Sequence, residues 1–126
     1  MTVKAGVVLF AHGSRDPDWA TPFRAIERKV TEAKQDALVS LAFLELMQPS
    51  LPDAVARLAA SGCERITIAP LFMAQGAHLK RDLGKLLADL EERYPQLELV
   101  VLPAAGEVDS VTAAIGDWIV SRVQPQ

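Results

Sequence analysis

The chain has 126 residues, of which 50% are hydrophobic and 23% are charged, a composition typical of one soluble globular domain spanning residues 1–126. Its formal net charge of −3 argues against a nucleic-acid partner, because nucleic-acid-binding proteins usually carry a basic excess. One cysteine excludes an internal disulfide and a cysteine-bound metal cluster, and no apolar stretch is long enough for a membrane helix, so we expect a cytoplasmic protein.

The first half of the chain alternates between two hydrophobic periods. Residues 6–11 are all apolar or glycine, which predicts a buried strand, and a second apolar run covers residues 38–45. Between them the apolar residues step by three and four, which predicts an amphipathic helix with Pro22 in its first turn. The predicted apolar stripe of this helix consists of Trp19, Phe23, Ile26 and Val30.

The second half repeats the same alternation. Ser50 followed by Asp53 has the spacing of a helix N-terminal capping box, and Gly62 is a natural helix stop. Strands are predicted at residues 65–71 and 97–102, and the helix between them carries five leucines on one face before Pro95. The last helix is predicted at residues 107–123, with an apolar stripe made of Val111, Ile115, Trp118 and Ile119.

Four strand–helix repeats with continuously apolar strands predict an α/β fold of three layers, αβα. The four-stranded sheet should be parallel and covered by helices on both faces, because strands buried on both sides lose the alternation of polar and apolar residues. In such a sheet, ligands bind outside the carboxyl ends of the strands. That rule directs attention to the residues that follow each strand.

Both histidines and one glutamate lie at these predicted strand ends. His12 follows the first strand, Glu45 ends the second, and His78 follows the third. Two neutral imidazoles and a carboxylate suit a borderline divalent metal such as Co²⁺, Fe²⁺, Ni²⁺ or Zn²⁺. Each residue also has a simpler interpretation: His12 could satisfy a tight turn, His78 could lie in solvent, and Glu45 could pair with Arg15.

Positive charge near the same edge predicts an anionic ligand. Lys80 and Arg81 lie in the first turn of the third helix, where the helix dipole disfavours cations. The Gly13–Ser14 turn could alternatively cradle a phosphate, although neither a glycine repeat nor a GK[ST] motif is present.

Three segments, LFAHGSRDP, AFLELMQPSLPDAV and ITIAPLFMAQGAHLKRDL, resemble the class II tetrapyrrole chelatases, in the sirohydrochlorin chelatase branch of CbiX and SirB type. The resemblance implies a chelatase-like, flavodoxin-like half-unit that inserts Co²⁺, Fe²⁺ or Ni²⁺ into sirohydrochlorin for cobalamin or sirohaem synthesis. It implies that His12 and His78 bind the metal and that Glu45 is a further ligand or a proton acceptor. The divalent metal is then a substrate, and no tightly bound cofactor is expected.

Sirohydrochlorin carries many carboxylates, so arginine and lysine at this edge suit its recognition. We expect its contacts to come from Ser14, Arg15, Met73, Lys80 and Arg81. A single-unit chain is similar to the short form of the family, which pairs as a homodimer, and the candidate interface residues are Trp19, Phe72 and Met73. The loop after the fourth strand departs from the family, with Gly106 and Glu107 where many relatives have a histidine.

Fold does not determine function, so two other interpretations stay open. One is a non-catalytic carrier of metal or tetrapyrrole on the same fold. The other, which the motif supports less, is a phosphoryl-handling enzyme.

Overall fold

The computed structural model describes residues 4–123 and 125, and its centre is a four-stranded parallel sheet. The order across the sheet is β2–β1–β3–β4, with β1 paired to both β2 and β3. Ala5 lies opposite Ala37 on one side and Arg65 on the other. The predicted parallel α/β sheet is confirmed. The strands are β1 Ala5–Ala11, β2 Ala37–Phe43, β3 Arg65–Pro70 and β4 Glu98–Val101.

Four α-helices connect and follow the strands: α1 Thr21–Ala33, α2 Leu51–Ala60, α3 Ala77–Arg93 and α4 Asp109–Arg122. Short 3-10 turns precede α1 at Pro17–Ala20 and α4 at Ala105–Glu107. The predicted cap of α2 is present, since the Ser50 hydroxyl accepts from the Asp53 amide at 3.2 Å. The predicted helix stop is also present. Gly62 lies two residues after the end of α2 and has a φ of +94°, a backbone conformation that glycine adopts without strain.

The core lies on both faces of the sheet. On one face, β-strand residues pack with α2 and α3 around Phe10, Ile66 and Ile68, and the predicted leucine face of α3 joins this cluster. On the other face, Leu9 and Phe43 form a smaller cluster, against which Trp19 and Phe23 pack from the α1 side. Alternate residues of β1 therefore point to opposite faces, as the two-residue period of a strand requires.

The last helix differs from its prediction. None of the residues of α4 is buried, and its predicted stripe does not reach either core cluster. Trp118 is 62% exposed, and Val111, Ile119 and Val120 are exposed as well. The reason is positional: α4 contacts the 3-10 turn that precedes it, and neither core cluster on the two faces of the sheet includes an α4 residue.

Three smaller expectations are also corrected. β2 ends at Phe43, so Glu45 lies two residues beyond the strand rather than at its last position. Trp19 lies in the 3-10 turn before α1, because the α-helix itself begins at Thr21. Phe72 is buried in the core of this chain, so its ring is not available as an interface residue.

Among residues 4–123, no helix is long and apolar enough to cross a membrane.

Candidate metal and tetrapyrrole site at the carboxyl edge

The structure brings His12 and Glu45 together at the carboxyl edge of the sheet. The Nε2 atom of His12 lies 3.4 Å from Oε1 of Glu45, and both side chains are about half exposed, at 55% and 56%. A half-exposed pair of this kind keeps one face toward solvent, from which a ligand can approach. This contact replaces the alternative in which Glu45 pairs with Arg15, because the ion pairs formed by the described residues do not include Arg15.

Backbone hydrogen bonds beyond the strands hold this pair. The Leu44 amide donates to the Ala11 carbonyl at 2.9 Å, and the Glu45 amide donates to the His12 carbonyl at 3.1 Å. The two loops that follow β1 and β2 are thus hydrogen-bonded to each other. The His12 and Glu45 side chains consequently leave neighbouring backbones at the same level.

Gly13 is a site residue whose role sequence reasoning did not identify. Its φ is +101°, and a Cβ atom placed there would lie 1.9 Å from the carbonyl oxygen of Glu45. Only glycine therefore lets the His12 loop approach the Glu45 loop so closely. The signal was available in the sequence, since glycine directly follows the histidine at the strand exit.

The residue that follows Glu45 has a strained backbone conformation. Leu46, directly after Glu45, has a φ of 67°, a left-handed conformation that is uncommon for a residue with a branched side chain. Its side chain is exposed. Strained conformations of this type concentrate at functional sites, where surrounding structure holds them.

The third predicted metal ligand, His78, is the second residue of α3 and is exposed. Within the described part of the chain, no group of three or more histidine, cysteine, aspartate or glutamate side chains is close enough to hold a metal ion. The chain by itself therefore assembles a histidine–carboxylate pair, and the three-ligand set of His12, Glu45 and His78 stays a prediction.

The loop after His12 is organised by its own side chains. The Ser14 hydroxyl accepts from the Asp16 amide at 3.1 Å, and the Asp16 carboxylate accepts from the Asp18 amide at 2.9 Å. The Ser14 oxygen thus has a structural partner in the loop, while the Arg15 side chain is exposed. Asp16 and Asp18 place negative charge beside the 3-10 turn, which disfavours the phosphate interpretation of Gly13–Ser14.

The predicted cationic residues lie near the start of α3, Lys80 in its first turn and Arg81 at the beginning of its second. Both are exposed, and the first turn contains no acidic residue. Gly76 precedes the helix and offers no side chain to cap its free amide groups. The partial positive charge of the helix start therefore adds to the two cations, which favours an anionic ligand. Met73, in the loop before this helix, is exposed.

A separate cleft lies at the opposite edge of the sheet, before β3 and β4. Its volume is about 560 Å³, and none of the predicted site residues lines it. Cys63 borders this cleft and is itself buried. Burial raises the pKa of the Cys63 thiol, and the nearby Lys4 lowers it by less. These features describe a packed, protonated thiol.

Three comparisons with known proteins bear on this geometry. The CbiX family model matches residues 6–122. The sirohydrochlorin cobaltochelatase of Saccharolobus solfataricus is 34% identical over 126 aligned positions, which cover 94% of this chain and 92% of that protein.

Two solved structures share the fold. A CbiX protein from Marinobacter aquaeolei VT8 matches with a TM-score of 0.81 and 29% identity, over 93% of this chain and 95% of that chain. The sirohydrochlorin chelatase SirB from Bacillus subtilis subspecies spizizenii, solved in complex with cobalt, matches with a TM-score of 0.75 and 25% identity. The match covers 95% of this chain but 51% of SirB, so this chain corresponds to about half of that protein.

Proposed function

This chain belongs to the CbiX family, and on that premise we propose that it is an enzyme, a chelatase that inserts a divalent metal ion into sirohydrochlorin. The observation that carries the proposal is the exposed His12–Glu45 pair, which lies at the ligand-binding edge of a parallel sheet. We propose Co²⁺ as the preferred metal, because the Saccharolobus solfataricus relative, 92% of which is covered by the match, is a sirohydrochlorin cobaltochelatase. Fe²⁺ and Ni²⁺ are the competing metals.

The reaction exchanges protons for metal. Sirohydrochlorin loses two pyrrole N–H protons as one divalent ion enters the ring, so the site must both present the metal and accept protons. A neutral His12 imidazole offers a nitrogen lone pair to the ion, and the Glu45 carboxylate 3.4 Å away can orient the imidazole or take a proton. In this mechanism His78 contributes a second imidazole when metal and macrocycle are bound.

An open site suits transfer better than storage. A metal held by few protein ligands keeps coordination positions for the ring nitrogens, whereas a closed four-ligand cage would retain it. The half-exposed pair provides such a site, and the described residues do not complete a protein cage around it. Both properties support a chelatase over a metal store.

Substrate recognition is proposed to combine charge with apolar contact. Arg15, Lys80 and Arg81 are exposed near the edge and can form charge-assisted hydrogen bonds with the carboxylates of sirohydrochlorin. Leu46 and Met73 are exposed apolar residues that directly follow Glu45 and Phe72 in the chain. They can contact the flat macrocycle. Ser14, which directly precedes Arg15, is proposed to contact the substrate as well.

The test of activity is absorbance spectroscopy of sirohydrochlorin mixed with the protein and Co²⁺, Fe²⁺ or Ni²⁺, against a control without protein. We expect multiple turnovers with Co²⁺. A single stoichiometric spectral change would instead support a carrier, and spectra identical to the control would overturn the proposal.

The test of the site uses three variants and one control. His12→Ala, Glu45→Gln and His78→Ala should each lower turnover on the order of 100-fold or more, because each removes a group that acts on the metal or its protons. Glu92→Gln changes an exposed carboxylate at the far end of α3 and should leave turnover unchanged. Full activity of both histidine variants would contradict the proposed metal ligands.

We also propose that two copies of this single unit pair as a homodimer through the exposed apolar face of α4 and the end of β4. Its exposed apolar residues are Val101, Leu102, Val111, Trp118 and Ile119. The solved SirB chain is about twice as long as this one, so a second copy would supply the missing half. A stable interface buries roughly 1,200 Å² or more in total.

Analytical ultracentrifugation from nanomolar to micromolar concentration tests the homodimer, because two-fold pairing makes the sedimentation coefficient depend on concentration. A monomer at all concentrations with full activity would show that one unit is sufficient to bind the macrocycle. We also propose that the protein acts in the cytoplasm.

A further inference from the structure

The imidazole of His12 contacts an aromatic ring from the core as well as the Glu45 carboxylate. The centroids of His12 and Phe72 are 6.2 Å apart, with their planes at 89°. Phe72 in turn meets Phe10 edge to face, with centroids 5.6 Å apart and planes at 88°. Three rings therefore form a continuous edge-to-face series from the core to the site.

This series places a buried ring against a half-exposed one. Phe72 is 8% exposed and packs in the main core cluster, whereas the His12 side chain is 55% exposed. An exposed imidazole exchanges rapidly between rotamers unless neighbouring groups restrict it. Ring pairs at this separation and angle attract each other, so Phe72 favours one orientation of His12.

The backbone of Phe72 is itself held by the loop after β4. The Gly106 amide donates to the Phe72 carbonyl at 2.9 Å. A Cβ atom at Gly106 would lie 1.5 Å from the carbonyl oxygen of Met73, so only glycine permits this approach. The Gly106–Glu107 loop, to which the sequence assigned no role, is thus hydrogen-bonded to the backbone of Phe72.

We propose that Phe72 is a positioning residue for His12, holding the imidazole with Nε2 toward Glu45 so that it is ready to present the metal. The inference deepens the proposed function and rests on it for its catalytic consequence. The orientation of His12 itself is measurable without any reaction. Because Phe72 acts on the metal-bearing imidazole and not on the macrocycle, its loss should lower kcat and leave KM for sirohydrochlorin unchanged.

The experiment compares Phe72→Leu with Phe10→Leu, a matched control. Each variant removes one core ring and breaks the Phe10–Phe72 contact, but only Phe72→Leu removes the ring beside His12. We expect kcat for Co²⁺ insertion to fall on the order of 10-fold in Phe72→Leu relative to Phe10→Leu. Equal kcat in the two variants would overturn the inference.

Nuclear magnetic resonance of the two histidines gives an independent readout. In the wild-type protein we expect cross-relaxation between His12 and Phe72 ring protons and side-chain couplings of a single His12 rotamer. In Phe72→Leu we expect averaged couplings for His12, while His78 serves as an internal reference. Rotamer averaging of His12 in the wild-type protein would overturn the inference even where the variants fail to fold.

The two proposals fail separately. Wild-type protein with an oriented His12 and no metal insertion would refute the chelatase function and retain the orienting contact. Wild-type protein that inserts Co²⁺ with a freely rotating His12 would retain the function and refute the role of Phe72.

Discussion

Helices α2 and α4 both carry apolar stripes at helical spacing, yet only α2 packs into the core of this chain. α2 buries Leu51, Ala54, Val55 and Leu58 against the sheet. α4 buries none of its residues and exposes Trp118 and Val120. An apolar stripe therefore predicts a helix face that requires cover, but does not identify which surface covers it.

Truncating one apolar side chain in each helix, buried in α2 and exposed in α4, tests the comparison most strongly. Leu51→Ala should lower the free energy of unfolding by about 2–5 kcal/mol, because it removes packed methyl groups and leaves a cavity. Ile119→Ala should change it by less than about 0.5 kcal/mol at concentrations where the protein is monomeric. Urea denaturation measures the free energy of unfolding of both variants, and an m-value equal to that of the wild type shows that only stability has changed. A large loss from Ile119→Ala at high dilution would mean that α4 packs on its own sheet.

A charge on α4 tests what covers it. Ile119→Lys should weaken self-association on the order of 30-fold or more, since a lysine would be desolvated at the centre of an apolar interface. Ile26→Lys changes an isoleucine of α1 that is itself 39% exposed, and this matched control should leave association unchanged. Sedimentation equilibrium measures the dissociation constants. Equal effects of the two substitutions would remove α4 from the proposed interface.

Alanine substitutions at two glycines, Gly106 after β4 and Gly116 in α4, should change the free energy of unfolding in opposite directions. Gly106→Ala should lower the free energy of unfolding by about 1–3 kcal/mol, because the new Cβ would overlap the Met73 carbonyl. Gly116→Ala in α4 meets no atom within 4 Å and should raise it by about 0.5–1 kcal/mol through helix propensity. Thermal unfolding of the diluted variants separates them. Destabilisation by Gly116→Ala would indicate that α4 is more tightly packed than described.

The smallest expected effect is a pH dependence of stability caused by Cys63, which follows α2 and is buried in the core cluster. Burial raises the pKa of the Cys63 thiol above its ordinary value of 9.0, so the folded state holds the proton more tightly than the unfolded state. Its contribution to stability is complete below pH 9.0 and is lost as pH rises through the higher folded pKa.

The pH effect is isolated by urea denaturation of wild-type protein and Cys63→Ala at about pH 8 and about pH 10, because linkage ties the slope of stability to the protons exchanged. The wild type should lose more stability than the variant, by less than about 1 kcal/mol. Parallel losses in the two proteins would show that the thiol does not contribute.

Much of the fold followed from local patterns. The cap at Ser50, the stop at Gly62 and the leucine face of α3 each depend on residues within a few positions, and all three are present. The end of β2 was placed two residues late, because the apolar run continues through Leu44 after strand pairing with β1 has ended. The cover of α4 was misjudged because periodicity is a property of the helix alone.

Periodicity was sufficient to predict the order of strands and helices along the chain, the parallel sheet and the edge at which His12, Glu45 and His78 would lie. These follow from periodicity and from the rule that parallel strands end on one side. Three contacts became visible only in the folded chain: His12 pairs with Glu45, Gly13 permits their approach, and Phe72 contacts the imidazole. The physical reason is register, since a contact between distant segments depends on how strands align, and no local pattern encodes that alignment.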